Sequence, residues 1–94
     1  MYGLITSMLV LAENRQTLID AVSAGSVDLP GCLSYVVAED AEDASVVWVT
    51  EVWESADAHR ASLELEQVKA SVARARHVLV GFGTRVETSP AVTN

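Results

Sequence analysis

The chain has 94 residues, room for one domain and one core, and a monomer of that length buries only about two-thirds of the surface its unfolded chain exposes. Half of the residues are hydrophobic and a fifth are charged, which excludes a disordered chain. Thirteen acidic against six basic residues give a net charge of -7; this disfavours nucleic acid and anionic membrane surfaces as partners and reads most simply as a solubility device.

The first segment, Leu4 to Leu11, is apolar at nearly every position and is bounded by Glu13-Asn14-Arg15. It is too short for a typical helix and reads as a buried strand. From Asn14 to Ala24 the period changes, with Leu18, Ala21, Val22 and Gly25 on one stripe of an amphipathic helix. Pro30-Gly31 punctuates the chain ahead of a second strand, Cys32 to Ala38, and the acidic stretch Glu39 to Ser45 is a solvated hairpin connection. Val46 to Trp53, rich in β-branched and aromatic residues, is the third strand.

Ser55 fits a helix N-cap and Asp57 suits the positive end of that helix. Ala58, Ala61, Ser62 and Leu65 share one face, and a break near Leu65-Glu66 separates a further helix carrying Val68, Val72 and Ala75. Lys69, Arg74 and Arg76 sit towards its C-terminus, as the macrodipole favours. Val78 to Glu87 is the last strand, and Ser89 to Asn94 is a polar tail expected to fray, so the domain spans 1–88.

The order β-α-β-β-α-α-β is the split βαβ pattern of ferredoxin-like α+β folds, with a four-stranded antiparallel sheet covered by helices on one face. In the third strand Val47, Val49, Glu51 and Trp53 face one way, and Val46, Trp48, Thr50 and Val52 the other. The first strand is likewise apolar on both sides, with Leu4, Met8 and Val10 opposed to Ile5, Leu9 and Leu11. A sheet open to water alternates apolar and polar; this one does not. A homodimer through the second sheet face, with Trp48 in the contact, is therefore expected.

The single cysteine, Cys32, has no internal disulfide partner and reads as a small buried hydrophobe. No basic region precedes the N-terminal apolar run, and no stretch reaches the length of a membrane helix, so a cytoplasmic protein is expected by elimination. His59, His77 and Cys32 lack metal-ligand spacing.

Trp48-Val49-Thr50-Glu51-Val52-Trp53-Glu54-Ser55 followed by Ala58-His59, together with Leu29-Pro30-Gly31-Cys32 leading to Tyr35, resembles the antibiotic biosynthesis monooxygenase family. The resemblance runs from Leu4 to about Val86. It implies a dimeric α+β barrel with a cavity between sheet and helices in each subunit. It further implies oxidation of a small aromatic, anthrone- or quinol-like molecule by molecular oxygen, with no cofactor, neither metal nor flavin. Such chemistry needs an enolate or phenolate held in a dry pocket, because triplet oxygen reacts poorly with closed-shell carbon.

On this resemblance Trp53 and His59 are the catalytic candidates, and Tyr35, Val49, Glu51, Ser62 and Phe82 are the substrate-binding ones. Trp53 can wall an aromatic pocket and offer its N–H to an oxygen, or simply be a core tryptophan. His59 has the pKa for shuttling protons, or sits on the surface of a helix start. Tyr35 lines the cavity or packs on a helix; Phe82 and Met8 also read as core. Glu51, costly to bury alone, has Arg85 as a possible partner in a solvated or interface salt bridge. Anthrone-oxidising members carry asparagine where this chain has Val49, and many quinol-oxidising members carry histidine where it has Ser62. The positions used by haem-degrading members correspond to about Ser7, Ser62 and Val72, and none matches. These departures give the competing function, a non-catalytic dimeric module that binds a small apolar ligand.

Overall fold

In the computed structural model, which describes residues 1–94, the N-terminal apolar run forms β1 (Tyr2–Val10). It starts earlier than the apolar pattern suggests and stops before Leu11. There the chain turns into a 3₁₀ segment (Ala12–Asn14), which leaves Leu11 55% exposed outside the sheet. Then follow α1 (Arg15–Ala24), β2 (Cys32–Glu39), β3 (Val46–Trp53), α2 (Ala56–Ser62), α3 (Glu66–Arg76) and β4 (Leu79–Thr88). The turn into β2 has Gly31 at φ 77°, a left-handed conformation that an L side chain would strain. Its carbonyl accepts from the Glu54 N–H at 2.9 Å, tying the start of β2 to the end of β3.

Ser55 caps α2 as its position suggests, its Oγ accepting from the Ala58 N–H at 3.1 Å. Leu65 is extended (ψ 137°), and this is the break between α2 and α3. The four strands form an antiparallel sheet in the order β2-β3-β1-β4. This is the ferredoxin-like α+β arrangement.

One face of that sheet holds the core. Met8, Val10, Val47 and Val49 meet Leu18, Ala21 and Val22 of α1 and Ala75 of α3 in one buried cluster. Leu18 and Val47 have no solvent exposure, and burying such a side chain is worth about 1.5–3 kcal/mol. α3 is also tied by hydrogen bonds to α1, Ser71 Oγ–H to the Ala21 carbonyl at 2.7 Å, and to the loop after it, Gln67 Nε2–H to the Val27 carbonyl at 2.6 Å. The opposite face carries no helix. Ile5, Leu9, Val46, Trp48 and Val52 are half-buried there, while Val36 and Val86 are 51% and 44% exposed. Trp48 donates its indole N–H to Asp40 at 2.7 Å, so its polar edge is satisfied while its ring remains on this face.

The edge strand β4 is not regular. Thr6 pairs with Arg85 and Met8 with Phe82, so Gly83 and Thr84 together oppose Ser7 in a β-bulge. Ser7 Oγ accepts the Thr84 N–H at 2.6 Å, and a Cβ on Gly83 would lie 2.6 Å from that oxygen. The extra residue matters for the site. Phe82 and Arg85 are an odd number of positions apart and would face opposite ways on a regular strand. The bulge turns both to the helix side.

Two variants test the bulge by chemical denaturation. Ser7→Ala leaves the Thr84 N–H without its partner and should lower stability by about 1 kcal/mol. Gly83→Val drives a branched side chain into Ser7 and should cost more, about 1–3 kcal/mol. Unfolding midpoints equal to that of the parent protein would show that the bulge does not depend on this contact.

Candidate functional site

Between the inner face of the sheet and the helices lies a cavity of about 470 Å³, a size suited to a small polycyclic molecule. Its walls are mainly apolar, with Leu4, Met8, Val49 and Trp53 on the sheet side and Val68 and Val72 on the helix side. All seven residues singled out in the sequence, Trp53, His59, Tyr35, Val49, Glu51, Ser62 and Phe82, line it. The alternation of β3 is the reason for three of them, since Val49, Glu51 and Trp53 occupy successive inward positions.

Glu51 is the unusual member. It is 8% exposed in a layer otherwise built of Leu, Val, Met and Trp. Its Oε1 accepts the Trp53 indole N–H at 3.0 Å, and the His59 Nε2 lies 3.9 Å from the same oxygen. That spacing is too long for a hydrogen bond but close enough for charge to be felt. The expected partner, Arg85, is instead paired with Glu87 at 3.2 Å, where both side chains are exposed. Glu51 is thus neither solvated nor in an ion pair with Arg85. The Trp53 N–H is likewise committed to Glu51 rather than free for a substrate oxygen.

His59 is brought to this carboxyl by the Ser55 cap, which fixes where α2 begins. Its ring stands edge-on to Trp53 and tilted to Tyr2, with centroids 5.4 Å away in each case. Tyr2 and Trp53 are direct partners across β1 and β3, so the imidazole rests on an aromatic pair. Tyr2 carried no signal in the sequence; only the strand register puts it beside His59.

Burial pushes the Glu51 carboxyl up from the ordinary glutamate range, against the opposing pull of the Trp53 N–H and the Arg85 charge. The same loss of water, aided by Arg85, holds His59 below its ordinary value of 6.5. Near neutrality the imidazole is therefore unprotonated, the form that can accept a proton. Tyr35, beside Glu51 in the β2–β3 register, has its phenol pushed well above the usual range by burial and by the Glu51 charge. It keeps its proton.

Ser62 is buried, but its Oγ–H donates to the His59 carbonyl at 2.6 Å, turning it to its own helix. Phe82, also read as core, is 63% exposed on the edge strand and forms part of the cavity mouth. Cys32 is half-buried rather than core, and burial raises its thiol, which disfavours the nucleophilic thiolate. No three His, Cys, Asp or Glu side chains gather into a metal-binding group. No helix is long and apolar enough to cross a membrane.

The sequence profile described as antibiotic biosynthesis monooxygenase matches residues 1–74. A Chloroflexus aurantiacus J-10-fl protein, described as a candidate antibiotic biosynthesis monooxygenase, is 40% identical with a TM-score of 0.95, over 99% of this chain and 95% of that one. A Deinococcus radiodurans protein described in the same way is 25% identical with a TM-score of 0.77, over 100% and 98% of the two chains. One from Nitrosomonas europaea shares the fold at 15% identity and a TM-score of 0.87, over 98% and 100%. No curated protein matches the chain. The profile over most of the chain, and a 40% identical relative along nearly all of it, show that this protein belongs to the antibiotic biosynthesis monooxygenase family.

Proposed function

We propose that this chain oxidises a small aromatic, quinol- or anthrone-like molecule with molecular oxygen in the cavity, using no metal or organic cofactor. The observation that carries the reading is an imidazole, its pKa lowered by burial, held 3.9 Å from a buried carboxyl in a mostly apolar cavity of about 470 Å³. His59 takes a proton from the substrate's phenol or activated C–H, and Glu51 faces the imidazolium that forms. The electron-rich anion reduces oxygen, recombination gives a carbon-bound hydroperoxide, and loss of water leaves a carbonyl. For an anthrone-like methylene the balance is R₂CH₂ + O₂ → R₂C=O + H₂O, with the proton returned from His59 to the departing oxygen. Trp53 walls the pocket and holds the carboxyl. With Val49 apolar and Ser62 turned to its helix, His59 carries the proton transfer alone.

A second reading is a ligand-binding module without turnover, favoured by those same residues at positions 49 and 62. Oxygen uptake with anthrone or 1,4-dihydroxynaphthalene separates the two, since a binding module retains the ligand unchanged. His59→Ala should lower turnover by about 10²-fold. Glu51→Gln keeps an acceptor for the Trp53 N–H and removes the charge, and should lower it by about tenfold or more. Wild-type rates in both variants would show these residues to be structural.

The pH profile has a definite sign. Only neutral His59 is active, so kcat/KM should rise with pH through a folded-state pKa below 6.5 and then level off. An acid limb centred above 6.5 would exclude His59 as the base.

The uncovered sheet face supports a homodimer, because a second copy would bury Trp48, Val36 and Val86. Sedimentation equilibrium at micromolar protein should give twice the 10.0 kDa chain mass. Trp48→Glu should weaken the pair by several kcal/mol by placing a charge in an apolar contact. A 10.0 kDa species alone would rule the dimer out.

A further inference from the structure

The cavity has a charge pattern at odds with the rest of the protein. The chain carries -7 overall with only six basic residues, yet two of the six, Arg76 and Arg85, line this one cavity. They stand on different walls, Arg76 in the last turn of α3 and Arg85 on the inward side of β4. Four of the six cations are held in ion pairs with carboxylates, but Arg76 is in none. The pair that Arg85 makes with Glu87 is exposed, the kind that contributes little and exchanges readily. Phe82, 63% exposed, lines the same cavity and offers its ring as a flat aromatic surface.

From this geometry we infer that the substrate is an aromatic bearing a carboxylate, with its ring over Phe82 and its anionic group taken by Arg76 and Arg85. This rests on the proposal that the cavity takes a small aromatic molecule, and it narrows the class. A guanidinium binds carboxylate through paired N–H donors, and two of them lining one cavity focus an anion that the acidic surface elsewhere repels. Arg85 also acts on His59, its charge helping to hold the imidazole neutral. A carboxylate bound at Arg85 would offset that charge and strengthen His59 as a base when the site is loaded. The same substituent would make the enzyme discriminate against neutral aromatics of equal size.

The test compares 1-hydroxy-2-naphthoate with 1-naphthol by isothermal titration calorimetry, a readout that needs no turnover. The carboxylate should bind about tenfold or more tightly, and the ratio should fall as salt rises. In the double variant Arg76→Gln, Arg85→Gln the ratio should drop to near one, whereas Arg85→Lys alone should retain part of it. Arg60→Gln, which removes a single positive charge on the exposed side of α2, should leave the ratio intact. Equal binding of the two probes, or a preference that survives the double variant, would overturn the inference. Oxygen uptake with 1,4-dihydroxy-2-naphthoate separates this from the proposed oxidation. A carboxylate preference without uptake supports the anion site and counts against oxidation; uptake without a preference does the reverse.

Discussion

Glu51 takes a carboxyl group into a layer of Leu, Val, Met and Trp, and its removal from water governs what can stand around it. An unpaired buried carboxylate costs several kcal/mol, so the group needs a donor or must keep its proton. The structure supplies a hydrogen bond from the Trp53 indole and, in the same place, the burial that lifts the carboxyl's pKa. Trp53 is in turn fixed by that bond and by having only 1% exposure. His59 then fills the remaining approach to Oε1, resting on Tyr2 and Trp53. A single acidic side chain on the inward side of a strand thus organises two aromatic rings and an imidazole.

The opposite side of the cavity depends on a backbone irregularity. Without the bulge at Gly83-Thr84, the parity of β4 would send either Phe82 or Arg85 to the outer face. A serine hydroxyl on the neighbouring strand accepts the displaced N–H, and glycine makes room for it. The cavity therefore has a buried end, built on β3 and α2, and an exposed end on the edge strand. The first holds the groups that can handle a proton. The second carries the exposed Phe82 and Arg85.

Membership of the antibiotic biosynthesis monooxygenase family sets the fold and frames the chemistry, while the residues decide how that chemistry would be distributed. An apolar Val49 and a Ser62 bonded to its own helix offer the cavity no free polar group at these two positions. Under the proposed oxidation, proton transfer falls to His59 with Glu51 beside it, and under the anion-site inference recognition falls to Arg76 and Arg85. The apolar outer face, meanwhile, is the surface that a monomer of this length has no element left to cover.

Much of this was legible before any coordinates. The period-2 pattern of Val46–Trp53 placed Val49, Glu51 and Trp53 together on one face, because side-chain direction along a strand is a local property. Ser55 announced the start of α2, and so the reach of His59, because capping involves only neighbours in sequence. Both features survive unchanged in the fold. What involved two strands at once was not legible. The pairing of Tyr2 with Trp53 and the turning of Phe82 and Arg85 to one side depend on register and on a bulge, and the release of Leu11 from the sheet on the 3₁₀ segment that follows β1. The partner of Glu51 was not legible either, although it lies on the same strand: sequence offered a distant arginine, and packing supplied the indole two residues away. Local periodicity decided which residues face inward; only tertiary structure decided what each one meets there, because contacts between strands are set by register rather than by any residue's own preference.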